Sequence, residues 1–229
     1  MRKAMFVLAV LALAAAPAAA DPLNISNISG IWINNVGGEH LKGLGTSAVT
    51  WGDGVAPDSG YTFTAASDIY GAALATPLLL GTFTHHNEPI PSGSGIKAID
   101  LRFGFDTNGI PSALSVTTTF LHDETPNTQP CDYYSTTPCA DRVMIPNPIL
   151  NSLITVGGDQ QYYFNLIGFS TDGGATIIPS FISQEGGSNS AQLYGMVTAH
   201  QISVPDGGMT VALLGAALAG LGLIRRKLS

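Results

Sequence analysis

The densest run of chemically capable side chains in this 229-residue chain is Thr84-His85-His86-Asn87-Glu88. Imidazoles, a hydroxyl, an amide and a carboxylate in one short stretch can ligate a cation, hold a proton or cap a turn. On a strand, consecutive side chains face opposite sides, so His85 and His86 cannot both reach one metal. One of them, with Asn87 or Glu88 and an Asp from a neighbouring loop, would make a cation site. The competing reading is structural. The Thr84 hydroxyl and Asn87 amide cap the end of a strand, Pro89 stops further pairing, and His85 is a hydrogen-bonded, half-buried side chain. The structural reading is the expectation, with no metal and no cofactor. Were a cation bound, His85, Asp53 and Asp58 are the residues that would supply it.

Other constellations point away from catalysis. Asp106-Thr107-Asn108-Gly109 starts like a calcium loop but lacks the closing Glu, so it reads as a hairpin turn. Asp123 and Glu124 are adjacent and point apart on a strand, which is a poor arrangement for a glycosidase pair. Pro91-Ser92-Gly93-Ser94-Gly95 lacks the first Gly of a nucleophile elbow, and no phosphate-binding loop or dinucleotide fingerprint is present. Cys131 and Cys139 are the only cysteines. In an exported chain they are expected to form a disulfide, and no His flanks them to suggest a metal. The loop so closed would gain about 2–3 kcal/mol in the chain-entropy picture. Trp32, Trp51, Tyr133 and Tyr134 are the aromatics that could stack on sugar faces if they lie on one exposed surface.

The elements that must carry these residues are strands. Ile96–Phe105 alternates, with Ile99, Leu101, Phe103 and Phe105 on one face and Asp100 and Arg102 on the other. Ala113–His122, Gln161–Phe169 and Gln192–Val204 behave similarly. Shorter strands are expected at Gly30–Ile33, Ala48–Trp51, Gly60–Thr64, Gly81–His85, Val143–Ile145 and Ser180–Ser183. Asp53-Gly54, Asn108-Gly109, Gly157-Gly158-Asp159, Asp172-Gly173-Gly174 and Glu185-Gly186-Gly187 supply the turns between them. Asp68–Leu74 is the one stretch that could make a helical turn. This pattern predicts an all-β domain, an antiparallel β-sandwich or jelly roll.

The two ends differ from the middle. Met1-Arg2-Lys3, an apolar run from Ala4 to Ala16 and the small residues Ala18 and Ala20 read as a secretory signal peptide over 1–20, cut after Ala20. At the other end, Val204-Pro205-Asp206-Gly207-Gly208 precedes an uncharged stretch from Met209 to Ile224 and the cations Arg225, Arg226 and Lys227. As a helix that stretch would span about 24 Å, just under the roughly 30 Å of bilayer hydrocarbon. The cations behind it would stay cytoplasmic, leaving the domain outside. Expected boundaries are thus 1–20, an exported domain over 21–203 and a C-terminal signal over 204–229. The ends hold five of the nine cations, so residues 21–204 carry a formal charge of −11 against −7 for the whole chain. Such an acidic domain is soluble and repels polyanions, which excludes nucleic acid as a partner.

The order of motif, apolar helix, basic cluster and chain end resembles the PEP-CTERM sorting signals of Gram-negative bacteria. Val204 to Gly208 is similar to their VPDSG-type variant, with Gly207 in the place of Ser. The resemblance implies that an exosortase, a membrane-embedded transpeptidase-like enzyme, reads and cuts the tail. Thr84, His85 and Asn87 resemble the Thr-His-x-Asn signature of the THxN family of such proteins, a family to which no activity attaches. The implied partners are signal peptidase and the secretion machinery, the exosortase, the inner membrane before processing, and polysaccharide. The expected function is a non-enzymatic exported cell-surface or extracellular-matrix protein associated with exopolysaccharide or biofilm. The alternative is a carbohydrate- or Ca²⁺-dependent ligand-binding sandwich.

Overall fold

The computed structural model describes residues 22–156 and 160–200, with four isolated positions, Val211, Leu214, Gly215 and Leu218, beyond them. Twelve strands follow one another: β1 (Leu23–Gly37), β2 (Ala48–Trp51), β3 (Ser59–Ala65), β4 (Ile69–Ala72), β5 (Pro77–Asn87), β6 (Ile96–Thr107), β7 (Ile110–Asp123), β8 (Asp141–Met144), β9 (Ser152–Thr155), β10 (Gln161–Ser170), β11 (Ser180–Ser183) and β12 (Gly187–Ala199). They form two antiparallel six-stranded sheets, ordered β11-β8-β7-β6-β1-β4 and β2-β3-β5-β12-β10-β9. The all-β, antiparallel sandwich expected from the period-2 pattern is the architecture found.

The expected signal peptide, with Ala18 and Ala20, lies outside the described residues. So do Val204, Pro205, Asp206, Gly207, Gly208, Arg225, Arg226, Lys227 and nearly all of the expected membrane helix over 209–224. Among the described residues, no helix is long and apolar enough to cross a membrane.

The sheets meet through aromatic side chains. Trp32 on β1 packs against Tyr61 on β3 at 5.3 Å between ring centroids, and Phe83 on β5 meets Phe120 on β7 at 5.6 Å. Phe103 on β6 stacks on Phe164 of β10 at 6.0 Å. Each of these side chains faces inward because alternate residues of a strand share a face. Burying one such ring is worth about 1.5–3 kcal/mol, so the core rests on these facing rows. Turn chemistry matches the sequence at β6–β7, where Asn108 (φ 44°) and Gly109 (φ 77°) close a tight hairpin between Thr107 and Ile110.

Several expectations are corrected. Asp68–Leu74 is no helical turn; its residues Ile69–Ala72 form an edge strand, with Ile69 opposite Ile25 and Ala72 opposite Leu23. That pairing partner lies far away in sequence, where local pattern cannot show it. β1 runs from Leu23, well before the expected Gly30, and register irregularities break its alternation. Trp32 and Trp51 are fully buried and form no sugar-stacking platform. Trp32 also donates its indole N–H to the Ser47 carbonyl at 3.1 Å.

The irregularity that places the Thr84–Asn87 side chains is in β5. Tyr194 pairs with Leu79 and the preceding Leu193 with Gly81, so Leu80 is an extra residue in β5. Up to and including Leu80, Leu78 and Leu80 face the core; after it, Phe83, His85 and Asn87 do. A bulge shifts the alternation by one, and here it turns His85 and Asn87 inward and Thr84 and His86 outward. Gly81 makes room for this, since a Cβ there would come within 2.5 Å of the Thr64 carbonyl oxygen and 2.6 Å of the Phe63 ring. The carbonyl is backbone and cannot rotate away. Gly81→Ala is therefore expected to cost about 1–3 kcal/mol by overpacking, read as a lower denaturant midpoint at unchanged slope. An unchanged midpoint would contradict the close approach.

Candidate functional site

The inward turn of β5 carries His85 into the gap between the sheets, where it meets residues of four other segments. His122 projects from the end of β7, and Glu124 follows it just past the strand. Asp141 opens β8. Glu185 sits at the corner where the chain leaves β11 in one sheet for β12 in the other. Tyr61 on β3 and Trp51 on β2 form the aromatic wall: Trp51 stacks near-parallel to the His85 ring at 6.1 Å, and Tyr61 meets it edge-on at 5.1 Å. The His85 and His122 rings are perpendicular at 5.1 Å.

The loop between β7 and β8 is what places the acidic groups. It is closed by the Cys131–Cys139 disulfide, as the sequence suggested. At its two ends the Thr125 amide donates to Asp141 Oδ1 at 2.8 Å, and the Thr125 hydroxyl donates to the Ala140 carbonyl at 3.1 Å. The loop thereby returns to its start and sets Asp141 beside Glu124. Asp123 and Glu124 do diverge: Asp123 points outward to the Tyr133 hydroxyl and Arg142, while Glu124 turns in to His122.

Hydrogen bonding in the cluster is conspicuously incomplete. His122 is held at both ends, with Nδ1 at 2.5 Å from the Tyr61 hydroxyl and Nε2 at 3.0 Å from Glu124 Oε2. His85 is fully buried, yet neither of its ring nitrogens has a partner. Asp141 Oδ2 and both Glu185 oxygens are also buried without one. Buried polar atoms without partners are uncommon, and each normally costs about 1–3 kcal/mol. One ligand atom from each of His85, His122 and Asp141 lies within 4.8 Å of the others, and the same holds for Glu124, Asp141 and Glu185. Asp141 belongs to both groups. Among the described residues no Lys or Arg forms an ion pair with these three carboxylates.

Electrostatics follow from this confinement. Burial, helped by His122 and His86, holds the His85 imidazole well below its ordinary titration range, so it stays neutral. Burial pushes Asp141 up to about 6, with the Glu124 carboxylate adding to the rise. Burial pushes Glu185 up to about 7, and Asp141 and Glu124 add to that; Asn127 opposes it without completing a hydrogen bond. Such a cluster can share protons among its carboxylates or hold a cation.

The other sequence candidates lie elsewhere. Asn87 faces inward like His85, but it does not cap its own strand: its amide donates to the Ser183 carbonyl at 3.0 Å and so ties β5 to β11 across the two sheets. Thr84 faces out and shares a 2.8 Å hydrogen bond with Ser190, and His86 bonds Thr62 and Ser188 on the same outer surface. Asp53 accepts from the Val55 amide within its own turn, and Asp58 pairs with Lys42 at 3.5 Å. The motif's His85 thus enters the cluster, while Asp53 and Asp58 do not. His122, Asp141 and Glu185 are not among the sequence candidates, and Glu124 is weighed there only with Asp123 as a poor glycosidase pair. The signal that could have found His122 with Glu124 is His122-x-Glu124, a spacing that puts both on one face at a strand end.

Residues 203–228 match the profile of the VPDSG-CTERM motif, an exosortase-type C-terminal sorting tail. The match covers the tail and stops short of the β domain. None of the curated proteins matches the chain. The sorting motif fits an exported, cell-surface protein of the PEP-CTERM kind.

The raised carboxyls set a direction for stability. Unfolded carboxyls titrate near 4, so between about pH 4 and 7 the folded state binds more protons than the unfolded one. The stabilisation is full below about pH 4 and is lost as pH rises through about 6 for Asp141 and about 7 for Glu185. With a chelator present, so that no cation is bound, the melting temperature of the wild type should fall relative to that of Glu185→Gln as pH rises from 4 to 7. A pH-independent difference between the two melting curves would refute the buried placement of Glu185.

Proposed function

We propose that the chain is an exported cell-surface or extracellular-matrix protein, non-enzymatic, that an exosortase releases from the inner membrane by cutting near Pro205. The observation that carries this reading is the sorting tail at residues 203–228. In this reading residues 1–20 are a signal peptide removed after Ala20, and Met209 to Ile224 anchor the chain until the tail is read. Arg225, Arg226 and Lys227 fix the orientation by remaining cytoplasmic. What stays at work is an acidic sandwich, and its charge of −11 suits a hydrated polysaccharide or biofilm setting.

The non-enzymatic reading is supported by where the polar cluster sits. His85 and Asp141 are fully buried between the sheets. The cleft beside them, of about 720 Å³, is lined by His122 and Glu124 but not by His85 or Asp141. A catalytic group must reach its substrate, and these two do not line that space. Thr84, His85 and Asn87 support membership of the THxN kind, with two structural duties visible in the strand: Asn87 joins the sheets and Thr84 pairs on the outer face.

Replacing Arg225, Arg226 and Lys227 together by Gln, in a host carrying the matching exosortase, should leave the tail uncut and the protein in the membrane fraction. Mass spectrometry of the surface-released wild type should find a new C-terminus near Pro205. Recovery of the intact C-terminal peptide from that released protein would overturn the sorting reading.

A further inference from the structure

We infer that the interior cluster is a structural site for one divalent transition ion of the Zn²⁺ class, held by His85, His122, Asp141 and Glu124. The strongest sign is His85. It is a fully buried imidazole with no partner on either nitrogen, and it lies within 4.8 Å of ligand atoms on His122 and Asp141. A lone pair so placed has a use if a cation accepts it.

The neighbours are arranged as ligands and their supports. The His122 Nδ1 contact with the Tyr61 hydroxyl fixes the ring, which leaves Nε2 facing the acidic groups. This is the outer hydrogen bond that metal-bound imidazoles ordinarily make. His122 Nε2 and Glu124 Oε2 are 3.0 Å apart. Bond lengths of about 2.0–2.2 Å in a tetrahedral Zn²⁺ site put neighbouring ligand atoms at about 3.3 Å, so the pair can close on one ion with little movement. The Thr125 amide holds Asp141 by Oδ1, which leaves Oδ2 to bind. Glu185, within 4.8 Å of Asp141 and Glu124, adds a third carboxylate that no Lys or Arg among the described residues neutralises. A divalent cation offsets that buried negative charge, and without one the carboxylates repel one another.

The donor set selects the metal. Two imidazoles with carboxylates suit Zn²⁺ and its first-row neighbours, whereas Ca²⁺ and Mg²⁺ take oxygen ligands. With four protein ligands and a buried setting the site is closed, as structural Zn²⁺ sites are. The cleft that reaches His122 and Glu124 gives the ion a way in. Bound to the folded chain alone, the ion joins β5 of one sheet to β7 and β8 of the other.

The test uses the full chain, stripped with a chelator and dialysed against Zn²⁺ in the presence of excess Ca²⁺ and Mg²⁺. One tightly held Zn²⁺ per chain is expected by elemental analysis, with a higher melting temperature than the stripped protein. His85→Gln and His122→Gln should weaken binding by about 100-fold or more, and Tyr61→Phe by roughly 10–100-fold as an outer-shell loss. His86→Gln, on the outer surface, should change nothing. X-ray absorption at the zinc edge of the wild type should count two imidazoles, which keeps the test decisive if a variant does not fold. The inference is overturned by a wild type that retains no Zn²⁺, by folded His85→Gln binding with wild-type affinity, or by a bound Zn²⁺ with fewer than two imidazole ligands.

Discussion

The extra residue at Leu80 decides which face of β5 looks into the protein. Up to and including it, Leu78 and Leu80 fill the apolar core. Downstream the alternation is displaced by one, and Phe83, His85 and Asn87 take the interior positions. Without the bulge, Thr84 and His86 would face the core, and His85 would be an ordinary surface imidazole. The bulge is itself held by a close backbone approach at Gly81. A local backbone irregularity thus determines that this sandwich has a polar centre at one end and an aromatic core in its middle.

The two halves of the interior depend on one another. Trp51 and Tyr61 belong to the aromatic network around Trp32 and Phe83, yet they also wall the polar cluster. They keep water from His85 and thereby hold it neutral. Asn87 spans the gap to β11, and the disulfide-closed loop returns Thr125 to Asp141. Each of these contacts fixes a segment that carries one member of the cluster. Glu124, Asp141 and Glu185 are brought together by one cross-sheet hydrogen bond, from Asn87 to Ser183, and by the disulfide-closed loop that joins β7 to β8 within one sheet.

How much of this the sequence discloses follows from the range of the interactions. β2 and β11 are read with their true ends, and β6, β7 and β10 to within a few residues; in β6 and β7 alternation records one buried face, while β10 is found by its β-branched and aromatic residues despite an irregularity between Leu166 and Gly168. Asn108-Gly109 discloses its hairpin because the turn requires positive φ at both positions. β4 is short and owes its strand form to a distant partner, β1, so its local composition says little; β9 is short too, and pairs with the strand that follows it, β10. The motif residues Thr84, His85 and Asn87 draw attention by type. Which of them faces inward depends on a bulge that has no composition signature. The residues beside His85 come from β7 and β8, with Glu185 of the β11–β12 corner joined to them through Asp141, and only the strand order brings these segments together. The sorting tail is the opposite case: its meaning lies in a linear order of motif, apolar run and cations, which needs no fold to be read.

The inward placement of His85 is the point on which the account turns, and imidazole acylation of the native full chain by diethyl pyrocarbonate, located by peptide mass spectrometry, measures it most directly. Of the five histidines, His40 is exposed and His86 and His200 are partly so, while His85 and His122 are buried. Rapid labelling of His40, His86 and His200 is expected, with protection of His85 and His122 until the chain is unfolded. Labelling of His85 as fast as His86 in the folded protein would contradict that placement.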